Sequence, residues 1–432
     1  MHKLFWRAAV IPVGLLLCLP SAIALGVTGV DHAQAAPDRH ITLPTAPEPV
    51  VIDSLRPDVV AHFDFEHPVL GDPGREHDLG WSATDLDLVN GAGHMRVPDG
   101  AYPGSRQSLQ TRQVNPTVMG NDDWKAGVYN PDGVASLNAF SGTAGITIMG
   151  WFKMTGENPG PNSNTPDPDD HYNAVGMAGI LSGDSDGHPV RALLEVINVD
   201  GELRLVALGR RIDGGASQTF AASDDWQTLL PRDEWVFLAA TFNYDDGTMR
   251  LFHNGVQLDG FYTNPGDPWE VDGPGSHVTS PTDPTGIKIG GSYPQNNREA
   301  NPCNCRMDSL MFLDRVVSDE EVAEQYTAFL ASPPALTSVD PGSAVVLDVA
   351  VGGYRGRAPF EVTTAEMSCA TGQPTGPDEA AQTPHRDQIP YRPRTKSYRY
   401  IWHSDATWSG SCRLLTVLTP DGPLHTVGVQ FR

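Results

Sequence analysis

Residues 233–260 read DEWVFLAATFNYDDGTMRLFHNGVQLDG. Three short runs rich in β-branched and aromatic residues are separated by Asp246-Gly247 and Asn254-Gly255. Asp-Gly and Asn-Gly supply the positive φ angles that tight hairpin turns need, so the stretch predicts consecutive antiparallel strands. The same punctuation lies upstream, where Asp200-Gly201 separates EVIN from LRLVAL. Repeated hairpins without helices between them indicate an all-β antiparallel sandwich or barrel from about Pro57 to Leu330.

One helix closes this region. Ser318-Asp319-Glu320-Glu321 is a capping box, with Ser318 capping the start and Glu321 reaching back to it. Val322, Tyr326 and Leu330 then recur on one face, and Pro333-Pro334 mark a boundary. The last 98 residues, 335–432, are again rich in strand-like runs, and their length suits a small immunoglobulin-like β-sandwich. Residues 36–56 are Pro-rich without a clear period and read as a linker.

The N-terminus reads as an export signal over residues 1–35. Lys3 and Arg7 precede an uncharged stretch from Ala8 to Val30, and Ala33-Gln34-Ala35 is a small-x-small cleavage site. A secreted, extracellular protein follows as the expectation, with no stable membrane span once the signal is removed. Four cysteines remain after it: Cys303, Cys305, Cys369 and Cys412. An even number in an exported chain suggests disulfides. Cys303 and Cys305 either bridge each other or stay reduced.

Net charge is −24 over 432 residues. From Ala335 onward nine acidic and nine basic residues cancel, so the excess lies before that point. An acidic surface repels phosphate backbones and argues against a nucleic-acid partner. It is also where hard cations bind.

Three segments resemble laminin-G-like domains of the concanavalin A-like lectin/glucanase jelly-roll class. They are GITIMGWFKM, with Trp151; the 233–260 hairpin series; and IKIGGSY followed by MDSLMFLDRVVSDEEVAEQY. The resemblance covers roughly residues 57–331 and implies an antiparallel jelly-roll sandwich. It also implies a structural Ca²⁺ between the first and last strands. Asp308 matches the last-strand aspartate, Asp64 and Glu66 lie on the matching first strand, and Asp78 follows in the next loop. The C-terminal 98 residues resemble a module of secreted bacterial proteins named for a P-x-K-F tetrad, through YRYIWHSDATWSGSCRLLTVLTPDGPLHTVGVQFR. Where the tetrad belongs, this chain has Val345-Val346-Leu347-Asp348. That resemblance implies a Cys369–Cys412 disulfide.

Other chemistry finds little support in the sequence. DSDGHPVRALLE places Asp184, Asp186 and Glu195 at EF-hand positions 1, 3 and 12, but Pro189 stands where the loop needs Gly, so it reads as a hairpin. Jelly-roll glucanases carry alternating carboxylates on one strand. After Glu195, its face here continues with Ile197 and Val199, and the pattern fails. No G-x-S-x-G or H-E-x-x-H motif is present. The expectation is therefore a non-catalytic, lectin-like binding or adhesion protein, with a glycan or cell-surface protein as partner. A carbohydrate-active enzyme on the same fold is the alternative. Trp151 and Trp235 read as core. Trp81, Trp124, Trp226 and Trp269 sit in loop-like contexts, and Trp402 and Trp408 belong to the C-terminal pattern.

Overall fold

The computed structural model describes residues 39–43, 46–114, 122–156, 175–181, 190–210, 217–263, 284–291, 303–357, 359–381 and 389–432. The signal-like segment, Trp269, Asp184 and Asp186 lie outside them. Among the described residues the chain is an all-β protein built from two sandwiches.

The larger sandwich has two sheets. One runs Val256–Gln257, Met249–His253, Val236–Asn243, Gly145–Met154, Cys305–Leu313, Ser108–Thr111, Arg96–Val97, and Val59–Phe63 also pairs with Cys305–Leu313. The other runs Gly260–Tyr262, Ser217–Ala222, Glu202–Arg210, Val190–Val199, Val175–Leu181, Gly286–Ile289, Lys125–Tyr129, Leu86–Val89, Asp72–Glu76, Pro68–Val69. Alternation builds the core between them. Ile146, Ile148, Leu238 and Phe312 from the first sheet meet Ala178, Leu194, Val196 and Ile287 from the second. The hairpin reading holds in detail at two of the three turns, whereas at Asp246-Gly247 only the glycine has a positive φ, 76°, and six residues separate the paired Phe242 and Met249. Asp200 and Gly201 have φ of 54° and 91°, and Asn254 and Gly255 have 51° and 81°, each pair forming a two-residue turn.

The outward residues of the first sheet form a second apolar layer. Met149, Trp151, Phe237 and Met311 pack under the helix Asp319–Ala331. Both halves of the capping box are present. The buried helix residues are Val322, Gln325 and Phe329, with Tyr326 half-buried, whereas Leu330 is 50% exposed. The predicted face is therefore corrected at its end to an i, i+3, i+7 stripe. Gln325 is buried because its amide holds the preceding chain, donating to Val50 O at 2.8 Å and accepting from Ile52 N at 3.0 Å.

The smaller sandwich pairs Ala344–Ala350 with Ser397–His403 and Tyr391–Arg392, facing a sheet of Leu336–Val339, Gly422–Phe431, Cys412–Thr419, Glu361–Met367 and Glu379–Ala380. Trp402, Tyr398, Leu347 and Phe431 fill its core. Part of the expected linker belongs here. Arg39–Leu43 pairs in parallel with Ala344–Ala350 and buries Ile41 and Leu43. Its His-Ile-Thr-Leu alternation is a strand signal that the surrounding prolines obscure. Asp348, at the end of the replaced tetrad, accepts from Arg399 at 2.9 Å and lies 3.1 Å from His40.

The two sandwiches touch directly. A Cβ on Gly93 would meet Asp421 O at 2.4 Å, Gln107 Nε2 donates to Thr426 Oγ1 at 3.3 Å, and Arg355 donates to Gly71 O at 2.9 Å.

Candidate functional site

The helix does not reach the end of the sheet it covers. Cross-strand register aligns Phe237, Trp151 and Asp308 beneath it. Two residues further along the same face come Trp235, Lys153 and Arg306, with Lys153 opposite Arg306. These three line a cleft of about 570 Å³, within the range usual for small-ligand sites. Asp99 and Tyr102, from the loop 98–103, form a second wall. Thr371 and Gln373, from a turn of the small sandwich, form a third.

Asp99 sits at the centre of the polar groups. It accepts from Lys153 Nζ at 3.0 Å, from Arg306 Nη1, and from the Trp235 indole at 3.4 Å. Burial pushes the Asp99 carboxyl up, but the Arg306 and Lys153 contacts outweigh it and hold it below its ordinary range. Arg306 is oriented in turn by Gln110, which accepts from its Nε at 3.0 Å. The ammonium of Lys153 lies 5.6 Å from the centroid of the Trp235 ring. The cleft thus presents a half-buried indole beside fixed donors and a carboxylate, with one net positive charge spread over two cations.

The residues expected to bind calcium hold this cleft together. A bulge at Ser309, φ 48°, interrupts the pairing between Asp308 and Met311 and re-aims the strand locally. Asp308 Oδ2 accepts from Ala101 N at 2.9 Å and Ser105 Oγ at 2.7 Å, and burial pushes its carboxyl well up. Glu66 Oε1 accepts from Arg106 N at 2.5 Å and Gln107 N at 2.7 Å. The loop carrying Asp99 is therefore tied down along residues 101–107 by two buried carboxyls.

Asp64 Oδ1 accepts from His67 Nδ1 at 2.8 Å and from Glu66 N at 3.1 Å. Asp64, His67 and Glu76 each offer a ligand atom within 4.8 Å of the others. Glu76, however, accepts from Arg96 Nε at 2.8 Å, from Arg96 Nη2 and from His67 N at 2.7 Å. Burial lowers the His67 pKa, but the Asp64 hydrogen bond and the charges of Asp64, Glu76 and Glu66 lift it to about 9. With Arg106 beside Glu66 at 3.8 Å, three cations face three carboxylates. A calcium ion wants six to eight oxygens, whereas here N–H donors point at the carboxylates, so the donor set around Asp64, Glu66 and Asp308 does not fit that ion. Asp78 is likewise a loop brace, accepting from His62 N, Gly80 N, Ser82 Oγ and Thr84 N.

Trp151 is core, 3% exposed, as expected. Trp235, also expected there, is half-buried against the same apolar layer and in addition lines the cleft, because it precedes its strand where helix cover has ended. Trp226 is buried, Trp124 stacks under Arg112 at 3.7 Å, and Trp81 is 53% exposed outside the cleft. Glu195 lies on the strand Val190–Val199, away from this site. Cys369 pairs with Cys412, and Cys303 with Cys305. The first pair anchors the turn that walls the cleft, whose Gly372 N donates to Ser368 O at 2.8 Å.

No family model matches the chain, and no curated protein matches it. Among solved structures, it is similar to a Trypanosoma rangeli sialidase in complex with 2,3-difluorosialic acid (covalent intermediate). The identity is 12% and the TM-score 0.38, covering 68% of this chain and 36% of that one. It is also similar to a native heptameric SAP-like pentraxin from Limulus polyphemus, at 10% identity and TM-score 0.27, covering 42% of this chain and 70% of that one. The chain spans about a third of the sialidase's length. Neither likeness carries an argument about function.

Proposed function

We propose that the protein is an exported, non-catalytic binding protein with a laminin-G-like large sandwich, and that the cleft takes a carbohydrate. One observation carries this reading: the Trp235 indole lies beside Asp99, Lys153 and Arg306, which are fixed by one another and by Gln110. An indole face suits the C–H surface of a pyranose. A carboxylate flanked by donors suits adjacent hydroxyls, which both give and accept hydrogen bonds. Asp99 offsets one of the two cations, and the single positive charge that remains suits a sugar that is neutral or carries one acidic group.

Hydrolysis of a glycoside by the usual route needs two carboxyl groups, one of them protonated. Among the described residues lining the cleft Asp99 is the sole carboxylate, and its environment keeps it ionised. Paired cysteines support the expectation of export.

A glycan-array screen followed by calorimetric titration tests the reading. Trp235→Ala and Asp99→Asn are each expected to weaken binding about ten-fold or more, in line with loss of a stacked ring or of a charge-assisted hydrogen bond. Affinity is expected to be the same in calcium and in chelator. Release of reducing ends from a bound glycan would overturn the non-catalytic reading, and undiminished affinity of both variants would remove the cleft.

A further inference from the structure

Charge in the small sandwich is divided between its two sheets. Seven of the nine basic residues that follow Ala335 fall between Arg355 and Arg399. The sheet of Arg39–Leu43, Ala344–Ala350, Ser397–His403 and Tyr391–Arg392 carries one acid on its strands, Asp348, and Arg399 and His40 take it up. The facing sheet holds Glu361, Glu366 and Glu379.

Tyr391–Arg392 is an edge strand of the basic sheet. Residues 354–357 run beside it, since Ile389 N donates to Arg357 O at 3.0 Å and Arg355 N donates to the Tyr398 hydroxyl at 2.7 Å. The hairpin loop 393–396 leaves its other end. Arg357, Arg392, Arg394 and Lys396 are all exposed, and none of their side chains makes a hydrogen bond or ion pair with a described residue. Charges on an edge strand guard it against pairing with another chain. Pro390 and Pro393 already flank this two-residue strand, so four unneutralised cations exceed that need. Lys396 has a φ of 52°, where Gly or Asn fits with less strain, yet the loop keeps a cation there.

An aromatic surface lies beside the cations. Tyr354 is 65% exposed, and its ring centroid lies 5.4 Å from that of Tyr391. Tyr391 is backed in turn by the buried Tyr398 at 4.9 Å. In a chain of net charge −24 this edge reverses the local sign, which directs an anionic partner here and away from the acidic large sandwich.

We propose that this edge is a second binding surface, sharing no residue with the cleft, for an acidic polysaccharide whose rings carry carboxylates. Three of the four free cations are arginines, and a guanidinium pairs with a carboxylate through two parallel hydrogen bonds. The Tyr354 ring takes the C–H face of a pyranose. A phosphate polymer would engage the cations and leave that ring idle.

The test is calorimetric titration of the mature chain with three probes: hexagalacturonate, its methyl ester (the same rings without charge) and a linear polyphosphate. Wild type is compared with Tyr354→Ala, Lys396→Gly, the triple variant Arg357→Gln/Arg392→Gln/Arg394→Gln, and Trp235→Ala in the cleft. Thermal unfolding is recorded for each. Wild type is expected to bind hexagalacturonate at least about ten-fold more tightly than the ester, and the triple variant to lose about ten-fold, as charge-assisted hydrogen bonds are removed. Lys396→Gly is expected to lose about three-fold while melting at or above the wild-type temperature, so a triple variant that melts early leaves the decision to it. Tyr354→Ala is expected to lose about three-fold or more for hexagalacturonate and nothing for polyphosphate. Trp235→Ala is expected to bind hexagalacturonate as wild type does. Equal affinity for the acid and its ester overturns the proposal, as does undiminished binding in both the triple variant and Lys396→Gly. An unchanged affinity of Tyr354→Ala for hexagalacturonate also overturns it and leaves a surface for any polyanion. Loss of hexagalacturonate binding in Trp235→Ala overturns it as well and assigns the acidic sugar to the cleft.

Discussion

Arg96 and Glu76 are both fully buried, and each depends on the other. Arg96 also donates to Arg75 O at 2.6 Å, so its guanidinium ties together a carboxylate and the backbone of the neighbouring strand. Removing one member of such a pair leaves an uncompensated charge, whereas replacing both with apolar residues is often close to neutral. Arg96→Met is therefore expected to lose about 3–5 kcal/mol of unfolding free energy. The double variant Arg96→Met/Glu76→Leu is expected to recover most of it. Urea denaturation of the three proteins checks this, and additive losses would show that the pair is not coupled. The same residues mark where sequence reading stops. Acidic side chains at 64, 66 and 308 are visible as a group, but their partners are not. The donors to Asp308 come from Ala101 and Ser105, more than two hundred positions away. A carboxylate braced by N–H groups and one awaiting a cation look identical until the loop that carries those N–H groups is placed.

Local chemistry was easier to read at the level of elements. The Asp200-Gly201 and Asn254-Gly255 turns and the capping box depend on residues within a few positions of one another, and each forms as its residues dictate. Arg315 reinforces the cap, donating to Glu321 at 2.7 and 2.9 Å and to Asp58 at 2.5 Å. Its hydrogen bond holds the Glu321 carboxyl down at about 2. Ser318→Ala is expected to cost about 1 kcal/mol, the usual value of an N-cap hydroxyl, read as a lower urea midpoint at unchanged slope. A loss indistinguishable from zero would mean that Arg315 alone fixes the helix start. Features set by what covers an element escaped the sequence. Leu330 continues the helical period but overshoots the sheet, and Trp235 sits in a strand motif but beyond the helix. Both positions follow from where a 13-residue helix ends over a longer sheet, which no local pattern records.

The buried ionisable groups together set how the whole molecule responds to pH. Burial holds His62 down at about 4 and His425 at about 3, against 6.5 for a free imidazole. As pH falls below 6.5 the unfolded chain binds protons that the native state refuses, so these two lose stability on acidification. Burial lifts Glu66 and Glu195 from 4.5 to about 7. There the native state binds protons first, and stability rises as pH falls from 7 to 4.5. His67, lifted to about 9, contributes stability that is complete below 6.5 and is lost as pH rises through 9. Burial raises Asp308 and Glu76 as well, so the raised groups outnumber the two imidazoles, and melting temperature is expected to fall as pH rises from about 6.5 to 9. His67→Gln is expected to flatten the alkaline fall, and an unchanged alkaline limb would rule His67 out as its source.

The path of the chain adds a second constraint on the whole molecule. Arg39–Leu43 enters the small sandwich first, beside Ala344–Ala350, and the chain then builds the large sandwich before returning to finish the small one. The small sandwich is thus completed by residues about three hundred positions upstream. Ile41 and Leu43 supply its edge with two buried side chains, each contributing about 1.5–3 kcal/mol. An Ile41→Asp/Leu43→Asp variant is expected to detach that strand, because a charged side chain cannot enter the apolar layer of Leu347 and Val349. Amide exchange reads the outcome region by region. Loss of protection along residues 344–350, with the sheet around Gly145–Met154 unchanged, is the expected result. Uniform loss across both sandwiches would mean that the two unfold as one cooperative unit, and full protection at 344–350 would show that the small sandwich closes without the upstream strand.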